Sequence, residues 1–135
     1  MPANTSPIFP LVPVIAWALL LTANTAKDGT GTAPVIFTAG ANGSRVDQIK
    51  VRNTGSAIAT VLRIFINNGS TPATATNNSL YMERTIPSAT LSEVAELVDI
   101  VILLNLTLPA GYKLLVTIGT TIATALQVTA EGGDY

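Results

Sequence analysis

The chain has 135 residues, no cysteine, no histidine and a formal net charge of −1. Without those two residue types, a disulfide framework, thiolate or imidazole metal sites and most nucleophilic triads are excluded. Seven basic residues balanced by eight acidic ones leave no basic footprint for nucleic acid.

The composition predicts a protein that is not an enzyme and holds no catalytic, cofactor-binding or metal residues. Charged residues make up 11% of the chain, less than half of the usual share of about 25%. A free monomer ordinarily needs more surface charge to stay soluble. The reading is that other subunits cover much of this surface, although the 19 threonines can also solvate it.

The chain opens on an apolar stretch, Ile8 to Leu21. No Lys or Arg precedes Lys27, and Pro10 and Pro13 interrupt the run, so it reads poorly as a signal peptide. It is also too short to span a bilayer as a helix. Residues 1–13 are expected to form an extended arm and residues 14–135 a single domain. From Val14 onward the pattern has period two, with a turn signal about every ten residues.

Strands are expected near 14–22, 34–38, 45–53, 57–67, 80–86, 98–108, 112–118 and 122–131. Asn42-Gly43 marks a turn, because both residues accept positive φ. Ile49 and Val51 fall on one face of their strand, with Gln48, Lys50 and Arg52 on the other. This strand and the next, joined by "NTGS", read as a hairpin. The uncharged loop 67–79 is long for a compact domain, which makes it disordered, functional or docked on a partner. Leu91, Val94 and Val98 break the β period and suggest one helical turn opened by Thr90 or Ser92. The even residues Val98 to Leu108 form one apolar face, expected of a central core strand. Eight short strands with little helix predict an all-β fold, a β-sandwich or jelly roll.

Asp47, Glu83, Asp99 and Glu131 are carboxylates on or near strands. They read better as solvated residues or ion-pair partners than as a glycosidase pair. Arg45, Lys50, Arg52 and Arg63 could make a basic stripe across two paired strands, either an interface or an ordinary solvated face. No phosphate-cradling glycine motif and no G-x-S-x-G elbow occurs.

Three segments carry a resemblance: "TAGANGSRVDQIKVRNTGSA" (38–57), "LPAGYKLLVTI" (108–118) and "EGGDY" (131–135). Together they resemble a family of small phage virion proteins, and the chain is similar in size and composition to capsid decoration (cement) proteins of tailed phages and cyanophages. The motifs are turns and strands rather than chemistry.

The resemblance implies a β-sandwich, often a homotrimer, that binds the outside of the major capsid protein lattice after synthesis in the host cytoplasm. It implies neither nucleic acid nor membrane as a partner. Candidate contact residues are Ile8, Phe9, Leu11, Val12 and Trp17 in and beside the arm, Asn68 and Thr71 in the long loop, and the Lys50/Arg52 face. Competing readings are a neck or tail component and, further off, a carbohydrate-binding module.

Overall fold

The computed structural model describes residues 9–135. Eight strands run in chain order: β1 (Val12–Leu20), β2 (Val35–Thr38), β3 (Ser44–Asn53), β4 (Thr60–Asn67), β5 (Asn78–Ile86), β6 (Asp99–Leu108), β7 (Lys113–Ile118) and β8 (Leu126–Asp134). Each corresponds to one of the strands expected from the period-two pattern. They form two four-stranded sheets, ordered β1-β8-β3-β6 and β2-β7-β4-β5. Every neighbouring pair is antiparallel. An eight-stranded double sheet with this order is a jelly roll, which buries one face of each sheet against the other.

The core lies between the sheets. Val46, Ile49 and Val51 of β3 and Leu126, Val128 and Ala130 of β8 meet Leu62 and Ile64 of β4 and Leu114, Val116 and Ile118 of β7, all buried. Alternation alone does not keep the β3 residues inward. Register slips by one residue between Val46 and Gln48, so Asp47 bulges out and Ile49 and Val51 still face the core.

Four expectations are corrected. Residues 45–53 and 57–67 do not pair as a hairpin: β3 and β4 lie in opposite sheets. The link at residues 54–59 is long enough to cross the sandwich, about 10 Å thick, and a turn signal looks the same for a crossing as for a hairpin. Of the consecutive strands, only β4 and β5 pair directly.

Residues 98–108 are likewise not central, since β6 is the edge of its sheet. The even face is turned inward, with Ile102 and Leu108 buried, but alternation reports a buried face and says nothing of how many strands flank it. Leu91 to Leu97 forms no helix; the one helical element among the described residues is a 3₁₀ turn at Ala75–Asn77. Leu91 and Val94 point into solvent, so no packed face repays the cost of starting a helix. The Ser92 hydroxyl accepts from its near neighbour Val94 N (3.2 Å), and the Ser56 hydroxyl from Leu91 N (2.8 Å). Finally, β1 begins at Val12, so Val12 and Pro13 belong to the sheet and not to an arm.

The turn ends of the three segments, residues 39–44, 108–112 and 134–135, meet at one end of the sandwich. Ala39 N donates to Tyr112 O (2.8 Å), and Tyr135 N donates to Gly43 O (3.2 Å). The Asp134 carboxylate accepts from the Ser44 hydroxyl and from Gly40 N. Gly132 passes the β3 bulge so closely that a β-carbon there would collide with the Arg45 carbonyl. These motifs therefore hold turns together, which is a structural role.

Candidate interaction surface

The outward faces of the two sheets can be built row by row from the register. On the β1-β8-β3-β6 sheet the rows are Ile15–Glu131–Gln48–Leu103, Trp17–Thr129–Lys50–Val101 and Leu19–Gln127–Arg52–Asp99. Directly opposed residues in antiparallel strands share a face, so these twelve side chains form one grid. Its columns differ in kind. The β1 column is wholly apolar, with Ile15 63%, Trp17 65% and Leu19 55% exposed. The β8 and β3 columns are polar. The β6 column pairs the exposed Leu103 and Val101 with Asp99.

Within β1 the pattern is one of size. Small Ala16 and Ala18 alternate with large Ile15, Trp17 and Leu19, and the large residues point out. The apolar column extends past the strand, with Leu11 and Phe9 exposed before it and Leu21 after it. The resulting stripe runs the full length of a sheet edge, a feature that marks interaction sites on folded proteins.

The charged side chains on this sheet are largely paired among themselves. Lys50 Nζ lies 3.8 Å from Asp99, and Arg45 Nε lies 2.9 Å from Asp47. Glu131 accepts from Gln48 Nε2 at 2.9 Å. Arg63, on the opposite sheet, pairs with Glu83 at 2.9 Å. The four basic residues therefore make no single stripe, because the strands that carry them do not adjoin. Lys50 and Arg52 do share the outward face of β3. No cluster of three metal-ligating side chains occurs among the described residues.

The expected contact residues thus separate. Phe9, Leu11, Val12 and Trp17 belong to the β1 edge, with Lys50 and Arg52 two strands away on the same face. Ile8 lies outside the described residues. Asn68 and Thr71 hold their own loop closed. Asn68 Nδ2 donates to Asn77 Oδ1 (3.3 Å), and Thr71 O accepts from Asn77 Nδ2 (3.0 Å). Sequence reasoning does not single out Ile15 and Leu19 as exposed, although the large–small alternation of "VPVIAWALL" carries the signal.

The other sheet's outward face is covered at its middle, while Val35 and Leu80 at its edges stay exposed. Its central row is Val35–Leu115–Phe65–Leu80, and Leu115 and Phe65 are fully buried although they point away from the core. The β1–β2 connection runs over them. Asn24 N ties it to Ile118 O (2.9 Å), the Asp28 carbonyl accepts from Asn78 Nδ2 (3.0 Å), and the Pro34 carbonyl accepts from Val116 N (3.0 Å). Gly29 makes the closest approach: its φ is +78°, and a β-carbon there would sit 2.9 Å from Asn78. A depression of about 480 Å³ within this connection is lined by Thr22, Ala23, Asn24, Thr25, Gly31 and Thr32, with no acid or base.

No helix among the described residues is long and apolar enough to cross a membrane. No family model and no curated protein matches the chain. Among solved structures, the chain is similar to a mutant VP2 protein of infectious bursal disease virus in derived T=1 particles, with a TM-score of 0.33 and 16% identity over 96% of this chain. It is also similar to a chain in the structure of the Gx strain of that virus, with a TM-score of 0.30 and 11% identity over 98% of this chain. The chain spans 36% and 35% of those two proteins.

Proposed function

We propose that this chain is a decoration protein of a tailed-phage head, binding the outside of the major capsid protein lattice. One observation carries the reading: an apolar stripe along β1 that no described residue covers, on a chain with only 11% charged residues. The three segments that resemble phage virion proteins support it from the sequence side. The attachment is mechanical. The stripe buries Ile15, Trp17 and Leu19 against coat subunits, and Lys50 and Arg52 meet acidic groups at its margin. Ligation of the assembled shell by many copies then opposes its disassembly, because anything that binds only the folded lattice stabilises it.

The test uses empty heads of the tailed phage that encodes the chain, pelleted with purified protein. Saturable co-pelleting is expected, falling at least tenfold for the double substitution Ile15→Ser, Trp17→Ser. If the unaltered protein stays in the supernatant, the head assignment is wrong. If the double variant still pellets, the stripe is not the contact. Deleting residues 1–11, ahead of β1, measures what the N-terminal segment adds.

A further inference from the structure

Among the described residues the two sheets present four edges: β1 and β6, and β2 and β5. A free edge is a pairing template, and folded proteins blunt such edges by shortness, charge or a bulge. Three edges here are blunted. β2 is four residues long and slips register between Val35 and Phe37. β5 carries Glu83 and Arg84 and slips at Tyr81. β6 opens on Asp99 and is distorted at Asn105, whose φ is +47°. β1 has neither charge nor bulge. It is nine residues long and keeps one register with β8 from Val12 to Leu20. Its single blunting device is Pro13, which lacks an N–H donor and sits near one end.

We infer that β1 pairs antiparallel with β1 of a second copy of this chain, across a two-fold axis at Ala16. Ala16 is the midpoint of Val12–Leu20. A two-fold there sets Ile15 opposite Trp17 of the second copy and Pro13 opposite its Leu19. Outward residues then oppose outward residues, and two four-stranded sheets join into one. A slip of one residue would set the outward row of one copy against the inward row of the other.

Charge selects the occupant. A two-fold sets two copies of the same edge side by side, so an edge carrying charge of one sign would repel its copy. The first charged residue in the chain is Lys27, and none lies on β1. A charged foreign strand would find no counter-charge on this edge. The pairing uses the backbone edge and leaves Ile15, Trp17 and Leu19 facing outward, so two stripes merge into one patch. It takes the place of the three-fold assembly that the family resemblance implies, and it requires no capsid.

The chain has no cysteine, so introduced thiols report cleanly. Opposed Cα atoms in an antiparallel pair are about 4.5–5.5 Å apart, within reach of a disulfide. Mild oxidation of purified Ala16→Cys is expected to give mostly covalent dimer. A mixture of Ile15→Cys and Trp17→Cys chains should cross-link to each other, and Leu103→Cys on β6 should not cross-link with Trp17→Cys. Light scattering of the unaltered chain should give twice 14.0 kDa. A mass of one or three subunits, or cross-linking of Trp17→Cys to Leu103→Cys in preference to Ile15→Cys, overturns the inference. Should Ala16→Cys misfold, the Ile15/Trp17 mixture and the unaltered chain's mass still decide. No head is present in these measurements, so their outcome is separate from that of head binding.

Discussion

The two outward faces of this sandwich carry apolar side chains of similar size and treat them in opposite ways. On one sheet Phe65 and Leu115 lie fully buried beneath the β1–β2 connection. On the other, Ile15, Trp17 and Leu19 stand more than half exposed with nothing described above them. The difference is one of available chain. The connection at residues 21–34 is long, glycine-containing and tied down by hydrogen bonds along its length, while among the described residues none covers the β1 column. An apolar outward residue is therefore not by itself a sign of a partner. This chain can cover such residues with its own loop, and the β1 column is where no described residue does so.

The largest effect that would break this comparison is at the covered face. Phe65→Ala empties a fully buried site outside the main core and should cost about 3–5 kcal/mol in urea unfolding. A cost under about 1 kcal/mol would mean that the connection does not pack on Phe65. A smaller effect is expected for Asn78→Ala. Asn78 Nδ2 donates to the carbonyls of Asp28 (3.0 Å) and Pro72 (2.8 Å), and its Oδ1 accepts from the buried Asn67 (2.8 Å). The substitution leaves that buried amide unpaired, so about 2 kcal/mol should be lost. Hydrogen exchange should localise the loosening to residues 28–30 and 67–78.

How much of this is legible in the sequence depends on what each signal measures. Period-two alternation locates all eight strands and the inward faces of β3, β7 and β8, because burial on one side is what alternation records. It cannot tell which strand lies beside which. The same "NTGS" that suggests a hairpin carries the chain across to the opposite sheet, and a strand as apolar as β6 lies at an edge. The site is legible in part. Trp17 and the Lys50/Arg52 face are visible as candidates, and all three prove outward-facing on one sheet. Ile15 and Leu19 are hidden because "VPVIAWALL" looks uniformly apolar unless side-chain size is followed along with polarity. That the long loop 67–79 closes on itself is not legible, because its asparagine bonds, such as Asn68 to Asn77, join residues about ten apart, beyond any local turn pattern.

On the uncovered face the comparison predicts near-silence in stability. Trp17→Ser should change the unfolding free energy by no more than about 0.5 kcal/mol at concentrations where the chain is monomeric, because the ring already faces water. Calorimetry at two concentrations separates this from association, since a pairing chain melts higher when more concentrated. A loss of several kcal/mol in the monomer would mean that Trp17 is structural and the stripe is not a free surface.

The smallest expected effect is a pH response confined to the covering connection. The Asp28 carboxylate accepts from the Thr30 hydroxyl at 2.6 Å and from Thr30 N at 3.1 Å. The hydroxyl bond first and the backbone bond second hold its pKa below the ordinary 3.8. A carboxyl whose pKa is depressed on folding favours the fold when ionised. Its contribution is therefore complete above the unfolded value and is lost as pH falls through the folded one. Between pH 5 and 8 nothing should change. Below about pH 4 the Asp28–Thr30 turn should loosen, and the Asn78 tie to the Asp28 carbonyl with it. The group is fully exposed, so the core should not respond. An NMR titration of the Thr30 amide should give a midpoint below 3.8, absent in Asp28→Asn. A midpoint at or above that value would show that the turn does not hold the carboxylate, leaving Asn24 and Asn78 to fix the connection by themselves.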